Sequence, residues 1–256
     1  MPSSPHRTLI TIATYNEIEN LPKLVDAIFD VAQDVDLLVV DDNSPDGTGD
    51  WCDERAAEDP RVRCIHREGK LGLGSATIAA MRYAIENDYE FMLNLDADFS
   101  HHPRYIPDIL KRATAHEAEV EPDRKQKADI VIGSRYTRGG GVAGWPLKRK
   151  IMSRGVNLYA RLLLGLKTKD CSGSFRCYRI DALCKIDFDT LRSTGYSFLE
   201  EVLWLMKRNG ALMAETPIIF EDRRWGTSKI NAKEARAAIV IIFRLGIKNW
   251  LSRVRL

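Results

Sequence analysis

Two groups of aspartates, each placed directly after a strongly apolar run, are the residues of this chain most able to do chemistry. Asp41 and Asp42 close one such run, and Asp96-Ala97-Asp98 closes another. Short apolar runs bounded by turn residues are typical of buried parallel strands. Ligands of open α/β sheets bind beyond the carboxyl ends of such strands. We therefore expect four carboxylates at one binding edge.

The D-x-D arrangement predicts a site for a hard cation. Alternate side chains of an extended segment point the same way, so Asp96 and Asp98 can share one ion. Mg²⁺ and Mn²⁺ take one or two protein carboxylates and complete their coordination with water and phosphate oxygens. A D-x-D pair alone is a weak signal because many such pairs are solvated loop acids. One that follows a buried strand is more specific.

The elements that must position these carboxylates alternate between strand and helix. Predicted strands cover 8–14, 36–40, 62–65, 90–95 and 129–133, and predicted helices cover 19–32, 48–58, a segment ending at 86 and a segment starting near 103. This succession predicts a parallel sheet with right-handed crossovers. The 256 residues fit one α/β domain. Segment 115–127 is charged and aperiodic, which predicts a surface loop.

Charge is nearly balanced overall but unevenly distributed. The net charge is +2, yet seven basic residues and no acid lie between positions 145 and 169. From residue 223 onward, nine basic residues accompany a single glutamate. Two such segments favour a polyanionic partner, either phosphates or an anionic membrane surface, over ordinary solvated faces. We expect no nucleic-acid partner.

The cysteines and the apolar runs argue against a disulfide framework and a membrane span. The five cysteines contain no C-x-x-C pair, which favours reduced, packed thiols over disulfides or a zinc site. His66 is interpreted as structural. Residues 1–7 lack the apolar centre of a signal peptide. The longest uncharged apolar run, 237–243, is far shorter than the roughly 18 residues that a span requires.

Two common nucleotide-binding motifs are missing. The segment Gly72–Thr77 lacks the third glycine of a dinucleotide fingerprint and does not follow the first strand. No G-x-x-x-x-G-K-[ST] sequence occurs, which excludes a P-loop. A nucleotide would therefore be held by carboxylates and a metal.

Several motifs together carry a family resemblance. They are Thr14–Glu17, Val39–Thr48, Asp96–Pro103, Gly133–Arg135, Lys148–Asn157, Gly173–Arg176 and Asp222–Lys229. In this order they resemble the family-2 glycosyltransferases and, within them, the dolichyl- or polyprenyl-phosphate mannose synthases. The resemblance implies a GT-A fold, which is a single domain with a mostly parallel, Rossmann-like mixed sheet and helices on both faces. The catalytic domain would cover 1–230. Its nucleotide-binding half would cover about 8–115 and its acceptor half about 128–230.

The resemblance also implies a set of donor-binding residues. These are Thr14, Tyr15, Glu17, Val40, Asp42, Asp96, Ala97, Asp98, Arg223 and Lys229. Tyr15 and Glu17 correspond to base-contacting positions, and Asp42 to a contact with the base or ribose. The competing interpretation of Asp42 is a helix or turn cap, and Asp41 is as readily structural. Asp96 and Asp98 would hold Mg²⁺ or Mn²⁺.

The basic loop after the fifth strand would be the acceptor side. Arg135, Arg149 and Ser153 correspond to positions that hold the lipid phosphate, and guanidinium groups grip phosphate oxygens bidentately. With the two metal-binding aspartates, both arginines form the expected catalytic set. Glycines 139–141 would let the loop move as a lid. The competing interpretation is a surface loop without a ligand. His101 and His102 are expected to stabilise a turn rather than to act as bases.

The resemblance implies a metal-dependent, inverting transfer of mannose from GDP-mannose to a polyprenyl phosphate, giving a β-linked product. A phosphate monoester has its second pKa near ~6 and is largely dianionic at neutral pH, so no strong base is required. One alternative is a polyprenyl-phosphate glucosyltransferase that uses UDP-glucose. A nucleotidyltransferase and a non-catalytic binding module are further alternatives.

Residues 231–256 predict a basic amphipathic helix. Its apolar residues recur at helical spacing and are Ile239, Ile242, Phe243, Ile247 and Trp250. Such a helix can lie in the headgroup region of a membrane, and Leu147–Leu164 could be a second contact. The competing interpretation is core packing. We expect a cytoplasmic protein, peripheral on the cytoplasmic face of a membrane or held there by a membrane-anchored partner subunit.

Overall fold

A computed structural model of the chain describes residues 6–115, 127–191, 193, 195, 197–222 and 232–254. Side chains are described in all of these ranges except 232–237 and 251–254. Two of the predicted donor-binding residues, Arg223 and Lys229, lie outside the described residues. The same holds for 116–126, which is most of the predicted surface loop.

Nine strands and eight α-helices make up the described part of the chain. The strands are β1 (Thr8–Thr14), β2 (Val35–Asp41), β3 (Val62–His66), β4 (Phe91–Asp96), β5 (Ile130–Ser134), β6 (Gly141–Val142), β7 (Arg176–Arg179), β8 (Met213–Pro217) and β9 (Ile219–Phe220). The helices are α1 (Leu21–Val31), α2 (Thr48–Glu58), α3 (Leu73–Glu86), α4 (Ile106–Thr114), α5 (Leu147–Leu164), α6 (Ile180–Leu183), α7 (Phe198–Arg208) and α8 (Ala232–Val254). All five predicted strands are confirmed.

The main sheet has seven strands in the order β3-β2-β1-β4-β7-β5-β8. Strand β7 runs antiparallel to both of its neighbours, and every other described pairing in this sheet is parallel. A second, two-stranded sheet pairs β6 with β9. The strand–helix alternation predicted a parallel sheet, and β7 is the exception to it. The mostly parallel sheet implied by the family resemblance is confirmed.

Helices cover both faces because successive strand residues point to opposite sides. In β2, Leu38 and Val40 pack in one apolar cluster with residues of α3, α5, α7 and α8. Leu37 and Val39 pack in the other cluster with residues of α1 and α4. The strands are buried on both faces, which explains why they are apolar throughout rather than alternating.

Strand register brings the ends of several elements to one edge. Asp41 lies level with Thr14, and Asp96 lies level with Ala13. Because β7 is antiparallel, its first residue, Arg176, lies opposite Asn94 near the end of β4. The loop that precedes β7 therefore reaches the same edge as the carboxylates.

Helix α8 packs against α5 on one face of the domain. A Cβ atom added to Gly246 would lie 3.0 Å from the Cβ of Leu163, so the glycine permits close helix contact. The Asn249 side chain donates to the Leu163 carbonyl at 3.2 Å. No helix among the described residues is long and apolar enough to cross a membrane.

Candidate active site

Asp41, the last residue of β2, stabilises the turn that follows the strand. The Asp41 Oδ1 atom accepts hydrogen bonds from the hydroxyls of Thr14 at 2.7 Å and Ser44 at 2.6 Å. Its Oδ2 atom accepts from the Ser44 amide at 2.9 Å. With these partners and a side chain that is almost fully buried, Asp41 orders the loop after β2, as its structural interpretation requires.

The second aspartate of the pair reaches the loop before α3. Asp42 Oδ2 accepts from the amides of Leu71 and Gly72 at 3.1 and 3.2 Å. Its Oδ1 atom lies 2.9 Å from Nη1 of Arg67, and both side chains are nearly buried. These contacts agree with the competing interpretation, in which Asp42 caps a turn. The contact of Asp42 with a nucleotide stays a prediction.

The remaining predicted donor residues surround the end of β1. The ring of Tyr15 lies 4.3 Å from the Lys70 ammonium. The Glu17 carboxylate accepts from the Asn20 amide group at 2.9 Å, and the Glu17 N–H donates to the Thr48 hydroxyl at 3.0 Å. The other members, Thr14, Val40 and Ala97, are buried. The described members of the set thus border one region, next to β1, β2 and β4.

The D-x-D pair stands at the end of β4. Asp96 is the last residue of the strand, and its side chain is 33% exposed, so one face of the carboxylate is open to a ligand. Its Oδ1 atom accepts a hydrogen bond of 2.6 Å from the Ser174 hydroxyl. Asp98 is nearly buried, and its Oδ1 atom accepts from the Ser100 amide at 3.0 Å. Phe99 turns the chain here with φ of +61°.

His101 supports this turn from the buried side. Its Nδ1 atom lies 3.3 Å from the Asp96 amide and 3.4 Å from Asp96 Oδ2. Because an amide N–H can only donate, Nδ1 is the acceptor of this hydrogen bond. Burial lowers the pKa of His101, so the ring is held neutral between Phe175 and Phe220. These contacts agree with a turn-stabilising role rather than that of a base.

Arg135, directly after β5, is held by a residue that the sequence did not single out. Its Nε and Nη2 atoms donate to the Asp170 carboxylate at 2.7 Å each, and Nη2 also donates to the Ser172 hydroxyl at 2.8 Å. Burial alone would lower the pKa of Arg135, but the Asp170 charge outweighs it, and the pKa is raised. The guanidinium is permanently charged, with Nη1 left as the remaining donor atom for a ligand.

The second predicted arginine is more accessible. The Arg149 guanidinium stacks on the Trp145 ring at 4.0 Å, and its Nη1 atom donates to Asp222 at 3.2 Å. Its side chain is 37% exposed, and that of Asp222 is 45% exposed. An exposed pair of this kind contributes little to stability, so an incoming phosphate can replace the carboxylate.

Ser153 and the glycine-rich loop complete the basic side. The Ser153 hydroxyl shares a hydrogen bond of 2.6 Å with the Tyr136 hydroxyl. At Gly140, any Cβ atom would collide with the Ser134 carbonyl. At that position glycine allows a close backbone approach, while lid motion of the loop stays a prediction. Trp145 packs edge-on against Phe220, which joins this loop to the site.

The helix pair α5–α8 presents an apolar face to solvent. Its exposed side chains are Leu147, Ile151, Met152, Leu158, Leu162, Ile239, Val240, Phe243, Ile247 and Trp250. A groove of about 290 Å³ runs between the two helices, lined mainly by residues of this set. Ile242 instead lies fully buried in the core. Four of the five predicted apolar positions are thus exposed, as the amphipathic interpretation requires. Ile242 is buried, as the core-packing interpretation requires.

Sequence profiles identify the family. Residues 9–186 match the profile described as "Glycosyl transferase family 2". The chain belongs to this family. Within the family, it is 42% identical over 241 residues to the undecaprenyl-phosphate mannosyltransferase of Micrococcus luteus, covering 94% of each chain. It is also 40% identical over 250 residues to the polyprenol monophosphomannose synthase of Mycolicibacterium smegmatis, covering 97% of this chain and 90% of that one.

Solved structures with the same fold are more distant in sequence. Glucosyl-3-phosphoglycerate synthase from Mycobacterium tuberculosis, in complex with Mn²⁺, uridine diphosphate and glucosyl-3-phosphoglycerate, aligns with a TM-score of 0.63 at 17% identity, covering 96% of this chain and 80% of that one. The same enzyme with Mg²⁺ and uridine diphosphate also gives a TM-score of 0.63. This likeness confirms the GT-A type of fold for this family-2 chain.

Proposed function

We propose that this protein transfers mannose from GDP-mannose to a polyprenyl phosphate and forms a β-linked polyprenyl-phosphate mannose. The observation that carries the proposal is its 42% identity, over 94% of both chains, to an undecaprenyl-phosphate mannosyltransferase. The site agrees with this chemistry because a carboxylate pair and two arginines approach the same edge of the sheet. Residues 1–230 would be the catalytic domain, with its donor half at about 8–115 and its acceptor half at about 128–230.

The donor nucleotide would lie over the ends of β1 and β2. Tyr15 and Glu17 would contact the base, and Asp42 the base or ribose. Asp42 already holds two backbone amides and lies beside Arg67, so it would contact the nucleotide as part of an ordered loop. Arg223 and Lys229, both beyond the described residues, would close over the diphosphate.

Asp96 and Asp98 fit a hard divalent cation. Both offer carboxylate oxygens, the ligands that Mg²⁺ and Mn²⁺ prefer, and Asp96 stays partly exposed. A cation bound there would supply positive charge against the leaving diphosphate. The protein's own part is to orient Asp96 through Ser174 and to hold the turn through His101.

The acceptor phosphate would be held by Arg149, Arg135 and Ser153. A dianionic phosphate oxygen attacks the anomeric carbon, and the bond from that carbon to the donor diphosphate breaks on the opposite side. This single displacement inverts the anomeric centre, so an α-linked donor gives a β-linked product. No proton has to be removed from the nucleophile. This agrees with the burial of His101, which supports the turn after β4.

The apolar face of α5 and α8 would lie on the membrane that carries the lipid acceptor. It combines exposed apolar residues such as Leu162, Phe243 and Trp250 with the basic residues Arg244 and Lys248. Such a surface binds the headgroup region through both apolar burial and attraction to anionic lipids. The protein would thus work on the cytoplasmic face of a membrane, by itself or with a membrane-anchored partner subunit.

A transfer assay with two donors tests the proposal. Purified protein, Mg²⁺ or Mn²⁺ and a polyprenyl phosphate would be incubated with GDP-mannose or UDP-glucose in parallel. We expect a glycolipid from GDP-mannose and a much lower rate from UDP-glucose. The reverse preference would make the protein a glucosyltransferase. Release of pyrophosphate from a nucleoside triphosphate would make it a nucleotidyltransferase.

A further inference from the structure

Three side chains of types that can ligate a metal lie together at the edge of the sheet. Asp53 is on α2, and Cys64 and His66 are on the edge strand β3. Cys64 and His66 are two residues apart on a strand, so their side chains point to the same face. One ligand atom from each of the three residues lies within 4.8 Å of the other two.

Packing of α2 against β3 places the His66 ring next to Asp53. Gly49 lies one turn before Asp53 on α2, and a Cβ atom there would be 3.3 Å from both Cε1 and Nδ1 of His66. The His66 ring therefore packs directly on the backbone of α2 at Gly49. In this position its Nε2 atom points towards Asp53. The distance from His66 Nε2 to Asp53 Oδ1 is 2.8 Å.

The group is open on one side and closed on the other. The side chains of His66 and Asp53 are 48% and 63% exposed, so an ion can reach them. Cys64 is half-buried, and below it lies the fully buried Cys52.

We propose that Asp53, Cys64 and His66 bind a divalent ion of the zinc class, in a site separate from the Asp96–Asp98 pair. Thiolate, imidazole and carboxylate are the three ligand types that Zn²⁺ takes in proteins, and three protein ligands leave one position for water. Mg²⁺ and Mn²⁺ select oxygen ligands instead. The two sites therefore differ in the metal that each prefers.

The ion would join α2 to the edge strand. Without a metal, the His66 Nε2–H group donates a hydrogen bond of 2.8 Å to the Asp53 carboxylate. Binding would displace that proton, as metal binding to histidine and cysteine does in general. The sequence favoured reduced thiols over a zinc site because it contains no C-x-x-C pair. It could not show that α2 brings Asp53 beside a cysteine and a histidine spaced i, i+2.

Cobalt spectroscopy tests the proposal on the full chain. Co²⁺ takes the same ligands as Zn²⁺ and absorbs in the near ultraviolet only when a thiolate is bound, so ions at the oxygen-only D-x-D pair do not contribute. Reduced, metal-free protein titrated with Co²⁺ should develop this absorption up to about one ion per chain. Added Zn²⁺ should remove it.

Variants decide which residues are responsible. Cys64→Ser should abolish the thiolate absorption, and His66→Gln should weaken or abolish it. Cys184→Ser removes an exposed cysteine outside the group and should leave it unchanged. Zn²⁺ should raise the melting temperature of the wild type and of Cys184→Ser, but not that of Cys64→Ser. If Cys64→Ser does not fold, His66→Gln takes its place. Wild-type protein without thiolate absorption, or Cys64→Ser with undiminished absorption, would overturn the proposal.

Discussion

The Ser174 hydroxyl donates a hydrogen bond of 2.6 Å to Asp96 Oδ1, and this bond connects the loop before β7 to the end of β4. Residues of the same loop, Asp170 and Ser172, hold Arg135. One short loop thus orients both a proposed metal ligand and a proposed phosphate ligand. It reaches the site only because β7 is antiparallel to its neighbours.

Removing this hydroxyl should slow catalysis without unfolding the protein. Ser174→Ala deletes a hydrogen bond to a charged group, and such bonds contribute about 1.5–3 kcal/mol. We expect kcat to fall roughly tenfold or more and the metal concentration for half-maximal activity to rise. Steady-state kinetics at varied Mn²⁺ measures both. As a control, Thr114→Val removes a hydroxyl that bonds only a carbonyl within α4 and should behave as wild type. Unchanged kinetics in Ser174→Ala would contradict this role.

Asp98→Asn should abolish turnover while the protein stays folded. The substitution keeps the shape and the amide contact with Ser100 but removes the charge that a cation needs. Wild-type activity should also vanish with a chelator and return with Mg²⁺ or Mn²⁺. Transfer assays and a melting curve measure these effects. Full activity of the variant, or of chelated wild-type enzyme, would refute metal dependence at this pair.

The two arginines should respond differently to alanine substitution. Arg149 is partly exposed and paired with an exposed aspartate, so Arg149→Ala should keep the melting temperature. It should lower acceptor kcat/KM by roughly ten- to a hundredfold, the effect of losing a contact to a charged group. Donor affinity should be unchanged.

Arg135→Ala should instead destabilise the fold. It leaves the fully buried Asp170 carboxylate without its partner, and breaking such a pair costs about 3–5 kcal/mol. Denaturant unfolding compares the two variants. Equal stability losses would contradict the difference in burial between the two ion pairs. An Arg149 variant that loses donor affinity but keeps acceptor kinetics would show that the two halves of the site are assigned incorrectly.

A buried glutamate on α7 should make stability depend on pH. Burial raises the pKa of Glu200 from 4.5 to about 7. Between these values Glu200 is deprotonated in the unfolded chain and protonated in the folded chain. Its contribution to stability is therefore fully present below pH 4.5 and is lost as pH rises towards 7. Glu200→Gln removes this effect and should stabilise the protein at pH 8 relative to wild type, by about 3 kcal/mol at most.

Melting temperatures at pH 5 and pH 8 measure this difference. The gain from Glu200→Gln should be present at pH 8 and small at pH 5. Glu86→Gln makes the same chemical change at an exposed position and should show no such pH dependence. A Glu200→Gln variant that is less stable than wild type at pH 8 would show that the carboxylate is favourable when charged.

Membrane binding should depend on the exposed residues of α8. Phe243→Ser with Trp250→Ser removes two exposed apolar side chains and should reduce binding to anionic vesicles while leaving the melting temperature unchanged. Binding of the wild type should weaken as salt rises. Val31→Ser, at an exposed position on α1, is the matched control. Equal vesicle binding by all three proteins would exclude this face as the contact.

Local sequence patterns predicted the fold and the edge of the sheet at which the aspartates lie. They did not predict the partners of the charged residues. The strands followed from apolar runs that end in turn residues, and the D-x-D pair followed from its place after β4. Asp170 could not be identified because its pairing with Arg135 joins positions 35 residues apart. The Ser174 bond depends on the direction of β7, which is a property of the sheet and not of any local motif.

The stereochemistry of the product tests the central claim most directly. Purified protein would be incubated with GDP-mannose labelled with ¹³C at the anomeric carbon, a polyprenyl phosphate and Mn²⁺, and the lipid product would be analysed by mass spectrometry and NMR. The account predicts one mannose per polyprenyl phosphate, with the one-bond carbon–hydrogen coupling of a β-linkage. An α-linked product, or no mannosyl lipid from a folded, metal-loaded protein, would contradict it.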